Sequence, residues 1–358
     1  MSFSGEIKAK RKMTTKERYD DMWNKVFYFC LFASMVFIFY LIKDSKKHHD
    51  RTAELDPDYP YPQITDFAYC IPIIIIYSLF KYYVEPMLQP IAVAIMKKEY
   101  KEGKDEVNQE LFRIYKKKLA IHILKLTTYI LFSIAGHLIL RKMDYFPKSL
   151  LGYGDLKNLY IRGYPQSFYL EKPPYFNLYY YASFSYFATD LIWLLFVNDR
   201  QTDFINMLLH HVTTLSLILF SYYTNHTPVG AVVLHIHMIT DVLVHATRLS
   251  LRTDWPEFVK DFLGISLVFF FLYVRQFVFG QVIYSIWKYL DFEWTSVEWT
   301  LTLFLCILFL MHMNWNFMLL QKFFVLLLGT KITDTFTFDK AKEAQEKLNK
   351  VKQRIKNE

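Results

Sequence analysis

Residues 203–248 read DFINMLLHHVTTLSLILFSYYTNHTPVGAVVLHIHMITDVLVHATR, two apolar runs joined by a short polar turn. Segments 204–223 and 228–246 each supply close to the roughly 20 residues of helix that cross about 30 Å of hydrocarbon. Working outward, runs of the same kind recur at 26–42, 67–84, 119–140, 175–197, 262–287 and 299–328. Eight spans make this an all-α integral membrane protein, or seven if 67–84, which holds Pro72 and Lys81, only dips into the bilayer. The run 87–96 is too short to span and carries Pro90, so it is expected to lie in the interface or to re-enter.

Composition agrees. Of 358 residues, 53% are apolar and 19% aromatic, above the roughly 45–50% apolar share of soluble domains. The net charge of +8 is the mark of basic loops facing anionic lipid rather than nucleic acid. Cys30, Cys70 and Cys306 all sit in apolar runs and read as small hydrophobes. The first span follows a basic tail, 1–22, with no small-residue cleavage site, and reads as a retained anchor. The chain then divides into an N-terminal transmembrane region (23–96), a basic linker (97–118), a main membrane domain (119–328) and a Lys-rich tail (329–358) with a plausible helix at 341–352. Eight spans put both termini on one side. The tail, the linker, Arg200, the loop with Arg248 and Arg252, and the C-terminal tail make that side cytosolic by the positive-inside rule. The sequon Asn225-His226-Thr227 falls in a short loop expected to be lumenal. The terminal Arg354-Ile355-Lys356-Asn357-Glu358 is similar to a dibasic retrieval signal.

Charges inside spans are the informative residues. Lys125, Asp190, Asp241 and Arg275 each cost roughly 2.5–3.5 kcal/mol at mid-bilayer unless paired or hydrated. A polar pocket among the helices is the expected answer. Asp190 and Arg275 are one candidate pairing; Lys125 either pairs too or snorkels.

Residues 203–214 say more. At 3.6 residues per turn Asp203 and His210 share one face, while His211 and Thr214 share another about 100° round. On the next span His237, Asp241, His245 and Arg248, spaced four, four and three, form a single polar stripe. A carboxylate brought beside imidazoles orients the ring and raises its basicity, which is acid–base or nucleophilic equipment.

These residues carry a resemblance. Asp203-Phe204, His210-His211, Thr214, Ser221, Gly230, His237, Asp241 and Arg248 resemble the Lag motif (203–248) of ceramide synthases, within the TRAM–Lag–CLN8 (TLC) domain. Tyr164-Pro165, the aromatic run from Phe269 to Arg275, and His312 with Trp315 resemble further parts of it, over roughly residues 110–328. The resemblance implies a six-helix TLC barrel around a lipid cavity, preceded by one or two extra transmembrane helices. It implies an endoplasmic reticulum enzyme that moves a fatty acyl group from acyl-CoA to the amine of a long-chain sphingoid base. The matching catalytic positions are His210, His211 and Asp241; Asp203, Thr214, His237, His245, Arg248 and Arg275 are supporting or substrate-binding. No metal or cofactor is called for, acyl-CoA being a substrate. The bilayer is a partner, and a homodimer or small accessory subunit remains open.

One departure stands out: Met238 occupies the place where the family usually carries a second aspartate, and Thr240 stands where serine is usual. Either histidine of the pair is a base for the amine or a nucleophile toward the thioester. Asp241 then orients it, with Thr214 or His237 bonding the oxyanion. Two other readings compete. A membrane diiron lipid hydroxylase needs about eight clustered histidines; the chain has eleven, but Met207 interrupts one cluster and His48, His49 and His226 are expected in loops. The other is a non-catalytic TLC protein that senses lipid or assists translocation.

Overall fold

The computed structural model describes residues 15–55, 61–98, 101, 106–159, 172–197, 203–289 and 294–328. The first 14 residues, Tyr164-Pro165, Arg200 and the tail 329–358 with its expected helix and basic end lie outside them.

Among the described residues the chain is helical, with only two isolated bridges, Met96 to Thr253 and Pro147 to Gly154. Its helices are α1 (Thr15–Leu55), α2 (Cys70–Ile95), α3 (Glu106–Leu140), α4 (Phe176–Phe196), α5 (Phe204–Tyr223), α6 (Thr227–Ser250), α7 (Glu257–Phe271), α8 (Phe279–Tyr289) and α9 (Ser296–Leu327). A π-helical stretch, Leu272–Val278, fuses α7 and α8 into one long rod. This is the form expected in hydrocarbon, where every backbone group must be satisfied within its own segment.

Neighbour contacts run α3–α4–α5–α9–α8/α7–α6 and back to α3, a closed ring of six. α1 lies outside it along the α5/α9 seam and α2 along the α3/α4 seam. The expected six-helix arrangement with two preceding helices is therefore what the chain forms. Seven helical segments are long and apolar enough to cross a membrane. α4 is not among them because Tyr, Ser and Asn lower its hydropathy, yet its 21 residues close the ring between α3 and α5 alongside the spanning helices.

Three local expectations are corrected. Segments 67–84 and 87–96 are not a span and a separate interfacial piece but one helix, α2, which runs through Pro86 and Pro90 after a 3₁₀ turn at Ile64–Tyr69. Proline is tolerated in membrane helices because neighbouring groups can re-satisfy the carbonyls it frees. The polar stretch after the first span continues α1 to Leu55, so His48 and His49 are buried helical residues rather than loop residues. The latter half of the basic linker is the first turns of α3. The sequon is also unsuited to modification: Asn225 is 3% exposed at φ 60°, and Thr227 is 2% exposed.

The ring tightens where small residues allow it. A side chain on Gly230 would run into the Tyr180 hydroxyl and Ser221, which bond each other at 2.9 Å and tie α4 to α5.

Candidate active site

α5 presents His210 and His211 about 10 Å of helix rise inside Asp203, which stands exposed at the helix start. Neither imidazole faces lipid: they are 7% and 5% exposed, with ring centroids 5.6 Å apart. The two look in different directions. His210 stacks toward His237 of α6 (6.0 Å, 23°) and meets Trp315 of α9 at 5.5 Å. His237 in turn lies 5.0 Å from His312 of α9. His211 lies 6.4 Å from Phe187 and within electrostatic reach of Asp190.

Hydrogen bonds fix the tautomers of two rings. The Nδ1–H of His237 donates to the Val233 carbonyl at 2.7 Å. A neutral His237 therefore carries a lone pair on Nε2, which is buried and unpartnered. The expected role of His237 as oxyanion donor does not suit this arrangement; it is placed to accept a proton. His312 is the opposite case. Its Nε2 accepts from Arg275 Nη1 at 2.8 Å, so its proton sits on Nδ1, also unpartnered. Nδ1 of His210 and of His211 and the Thr214 hydroxyl are likewise buried without partners. Buried polar atoms are ordinarily satisfied. So many left open in one place fit a site that awaits polar ligand atoms.

Arg275 is the hub. Its Nη2 donates to Asp241 Oδ1 at 2.8 Å and to the His237 carbonyl at 3.0 Å. The π-helical winding supplies it, since an extra residue in the turn re-aims a side chain inward at mid-span. Asp241 thus meets the imidazoles through the guanidinium, not directly: its bonds go to Arg275, and the Tyr129 hydroxyl is within hydrogen-bonding reach. The expectation that Asp241 holds the His210–His211 pair by its own hydrogen bond is not met.

The pairing of Asp190 with Arg275 is also corrected. Asp190 accepts from Lys81 of α2 at 2.8 Å and from Lys125 of α3 at 2.7 Å. Lys81 moreover lies over the Trp193 ring at 4.5 Å. Of the remaining stripe, His245 is buried and bonded to His122 of α3, while Arg248 is exposed at the end of α6. Met238 is fully buried in the apolar core. Among the described residues no three His, Cys, Asp or Glu converge in metal-ligand geometry.

Beside His237 opens an apolar cavity between α5, α6, α8 and α9. Thr214 and His237 stand on its wall, Leu217, Val233, Leu301 and Leu305 give its apolar surface, and Glu298 and His226 stand where α9 begins. The structure brings together His210, His211, Thr214, His237, Asp241 and Arg275 and leaves Asp203 and Arg248 at the rim. The sequence marks His312 and Trp315 only through the resemblance and gives no site role to Tyr129 or His122; a histidine within a span is the one available signal.

Comparison with known proteins matches the TLC domain over residues 118–321, more than half of the chain. The chain is 27% identical over 178 residues to ceramide synthase LOH2 of Arabidopsis thaliana, covering 46% of this chain and 57% of the relative. It is 30% identical over 139 residues to ceramide synthase 4 of Bos taurus, 37% of this chain and 35% of the relative. It is 26% identical over 146 residues to ceramide synthase 5 of Homo sapiens, 39% and 36%. The matches thus span between about a third and just over half of the length of these relatives.

Proposed function

The chain belongs to the TLC domain family, and from that premise we propose that it is a sphingoid base N-acyltransferase. It takes a fatty acyl group from acyl-CoA and places it on the amine of a long-chain base, making ceramide in the endoplasmic reticulum membrane, with both termini cytosolic. The observation that carries the reading is a group of buried imidazoles with open nitrogens, one of which, His237, stands with Thr214 on the wall of an apolar cavity.

The chemistry follows from the atoms. A long-chain base arrives as an ammonium, which cannot attack a carbonyl until it gives up a proton. The lone pair of His237 Nε2, or that of a neutral His210 or His211, takes it. The free amine then attacks the thioester carbonyl directly. In the covalent variant, His210 or His211 attacks first and carries the acyl group as an acyl-imidazole, which the amine then resolves. In either route the tetrahedral oxyanion needs donors, and Thr214 Oγ1 and the Nδ1–H of His312 are unpartnered ones close by. Arg275, fixed by Asp241, holds His312 and the His237 backbone in register and supplies positive charge near the developing anion. No cofactor enters, and the apolar cavity takes a hydrocarbon chain. A second copy of the chain or a small accessory subunit is a further expectation, read by mass in detergent.

The test is amide formation. Membranes containing the protein, given acyl-CoA and a long-chain base, are expected to yield ceramide by mass spectrometry; H210A and H211A should each abolish it. Product unaffected by both substitutions removes the site assignment. Buried Met238, where the resembling motif has an aspartate, favours one second reading: a TLC protein that binds lipid without chemistry. That reading predicts bound lipid in the purified protein and no amide from wild-type membranes.

A further inference from the structure

One buried titratable pair has no part in the chemistry above. His122 of α3 and His245 of α6 face each other Nδ1 to Nδ1 at 3.1 Å, 8% and 6% exposed. In such a contact one ring must donate and the other accept, so passing a proton through the bond exchanges their roles. Mere filling of the α3/α6 seam would be done at less cost by apolar side chains, because buried polar groups carry a desolvation penalty. The pair also has a place. His245 lies one helical turn beyond Asp241 on the same face, about 5–6 Å away, and its ring stacks on Tyr129 (5.2 Å, 12°). The Asp241 side chain is 20% exposed, so it is not sealed from water. From His245 the end of α6 at Ser250 is about 7.5 Å further along the helix. The charged groups acting on the pair are Arg248 and Arg252 from the α6 end, Lys125 from α3 and Asp190 from α4.

We propose that His122 and His245 are the proton exit of the acylation site, delivering to the Arg248 face the proton that each turnover releases. This rests on the acyltransferase reading. The balance requires such an exit: an ammonium and a thioester give an amide, a free thiol and one proton. The C–S bond breaks, the N–C bond forms, nitrogen loses two protons, and the departing sulfur takes only one. The other must reach water from a site enclosed by six helices. Asp241 receives it, His245 takes it at one ring nitrogen, directly or across a bridging water, and His122 releases it.

The experiment measures kcat, KM and the solvent deuterium isotope effect for wild type, H245A, H122A and the hydrogen-bonding variant H245Q, with acyl-CoA and long-chain base in membranes. Expected are kcat lowered by roughly 10²-fold, the low end for a positioned proton carrier, with KM held. A raised isotope effect and recovery of H245A by added imidazole are expected too. Recovery is the readout a packing role would not produce. Unchanged kcat in the alanine variants, or loss that neither imidazole nor its alkyl derivatives relieve in either, overturns the exit while leaving the acyltransferase in place. No amide from wild type overturns both.

Discussion

The bond network around Arg275 makes a sharp energetic prediction. Arg275 is 2% exposed and satisfies Asp241, His312 and the His237 carbonyl together. R275M strands the Asp241 carboxylate among helices, at a cost of about 3–5 kcal/mol for an uncompensated buried charge. D241L strands the guanidinium instead and costs a similar amount by the same reasoning. R275M/D241L leaves neither charge. It forfeits only the donors to His312 Nε2 and the His237 carbonyl, about 1–3 kcal/mol for an unsatisfied buried acceptor. The double variant is therefore expected to be more stable than either single one, with a coupling energy of about 3 kcal/mol or more, at the upper end for residues in direct contact. Reversible unfolding in mixed micelles, titrated with SDS and followed by tryptophan fluorescence, reads all four corners of the cycle. Additivity within about 0.5 kcal/mol, the behaviour of independent sites, would refute the claim that these charges hold one another.

Three other outcomes follow from the same structure. D190N leaves Lys81 and Lys125 facing each other without their anion, whereas K81M leaves Asp190 still paired with Lys125; D190N should unfold at lower SDS by about 3 kcal/mol, and equal losses would contradict the pairing. G230A forces a Cβ against Tyr180 and should cost about 1–3 kcal/mol, while G264A meets open space and should gain up to about 1 kcal/mol from helix propensity; a reversed order in the same titration would count against the close α4–α5–α6 approach. Burial pushes the Lys172 ammonium down to about 8 from 10.5, with Asp66 opposing the shift. The folded state therefore carries a penalty below pH 8 that fades as pH rises toward 10.5. Thermal stability should rise between pH 7 and pH 9 by more in wild type than in K172M, and parallel curves would exclude this group as the source.

The helices were legible because hydrocarbon imposes a length and forbids open backbone, so runs such as 204–223 needed no alignment to read. The imidazole pair and the His237–Asp241 stripe were legible for a related reason: polar atoms in lipid are expensive, and periodicity states which of them share a face. Partner choice was not legible. Asp190 had three cations to choose from, Lys81, Lys125 and Arg275, and only the placement of α2 against the α3/α4 seam gives it Lys81. Helix boundaries beyond the bilayer were also out of reach, since residues 43–55 and 106–118 are polar enough for a loop yet continue α1 and α3. That Arg275 faces inward was legible from its charge, but its bond to Asp241 and the π winding around it were not, because π winding leaves no mark in a period of 3.6.

That winding sets which kind of genetic change the protein tolerates least. A π turn is an α-helix carrying one surplus residue, so removing a residue other than Arg275 from Leu272–Val278 lets the rod relax to ordinary winding, with its two halves kept near their present seats and the residues between them rotated about the axis. Such a deletion erases no functional group, yet it would swing the guanidinium out toward the acyl chains of the membrane. For this segment, a loss of three nucleotides in frame is a graver lesion than most missense changes, and deletion scanning would expose the site more cleanly than alanine scanning.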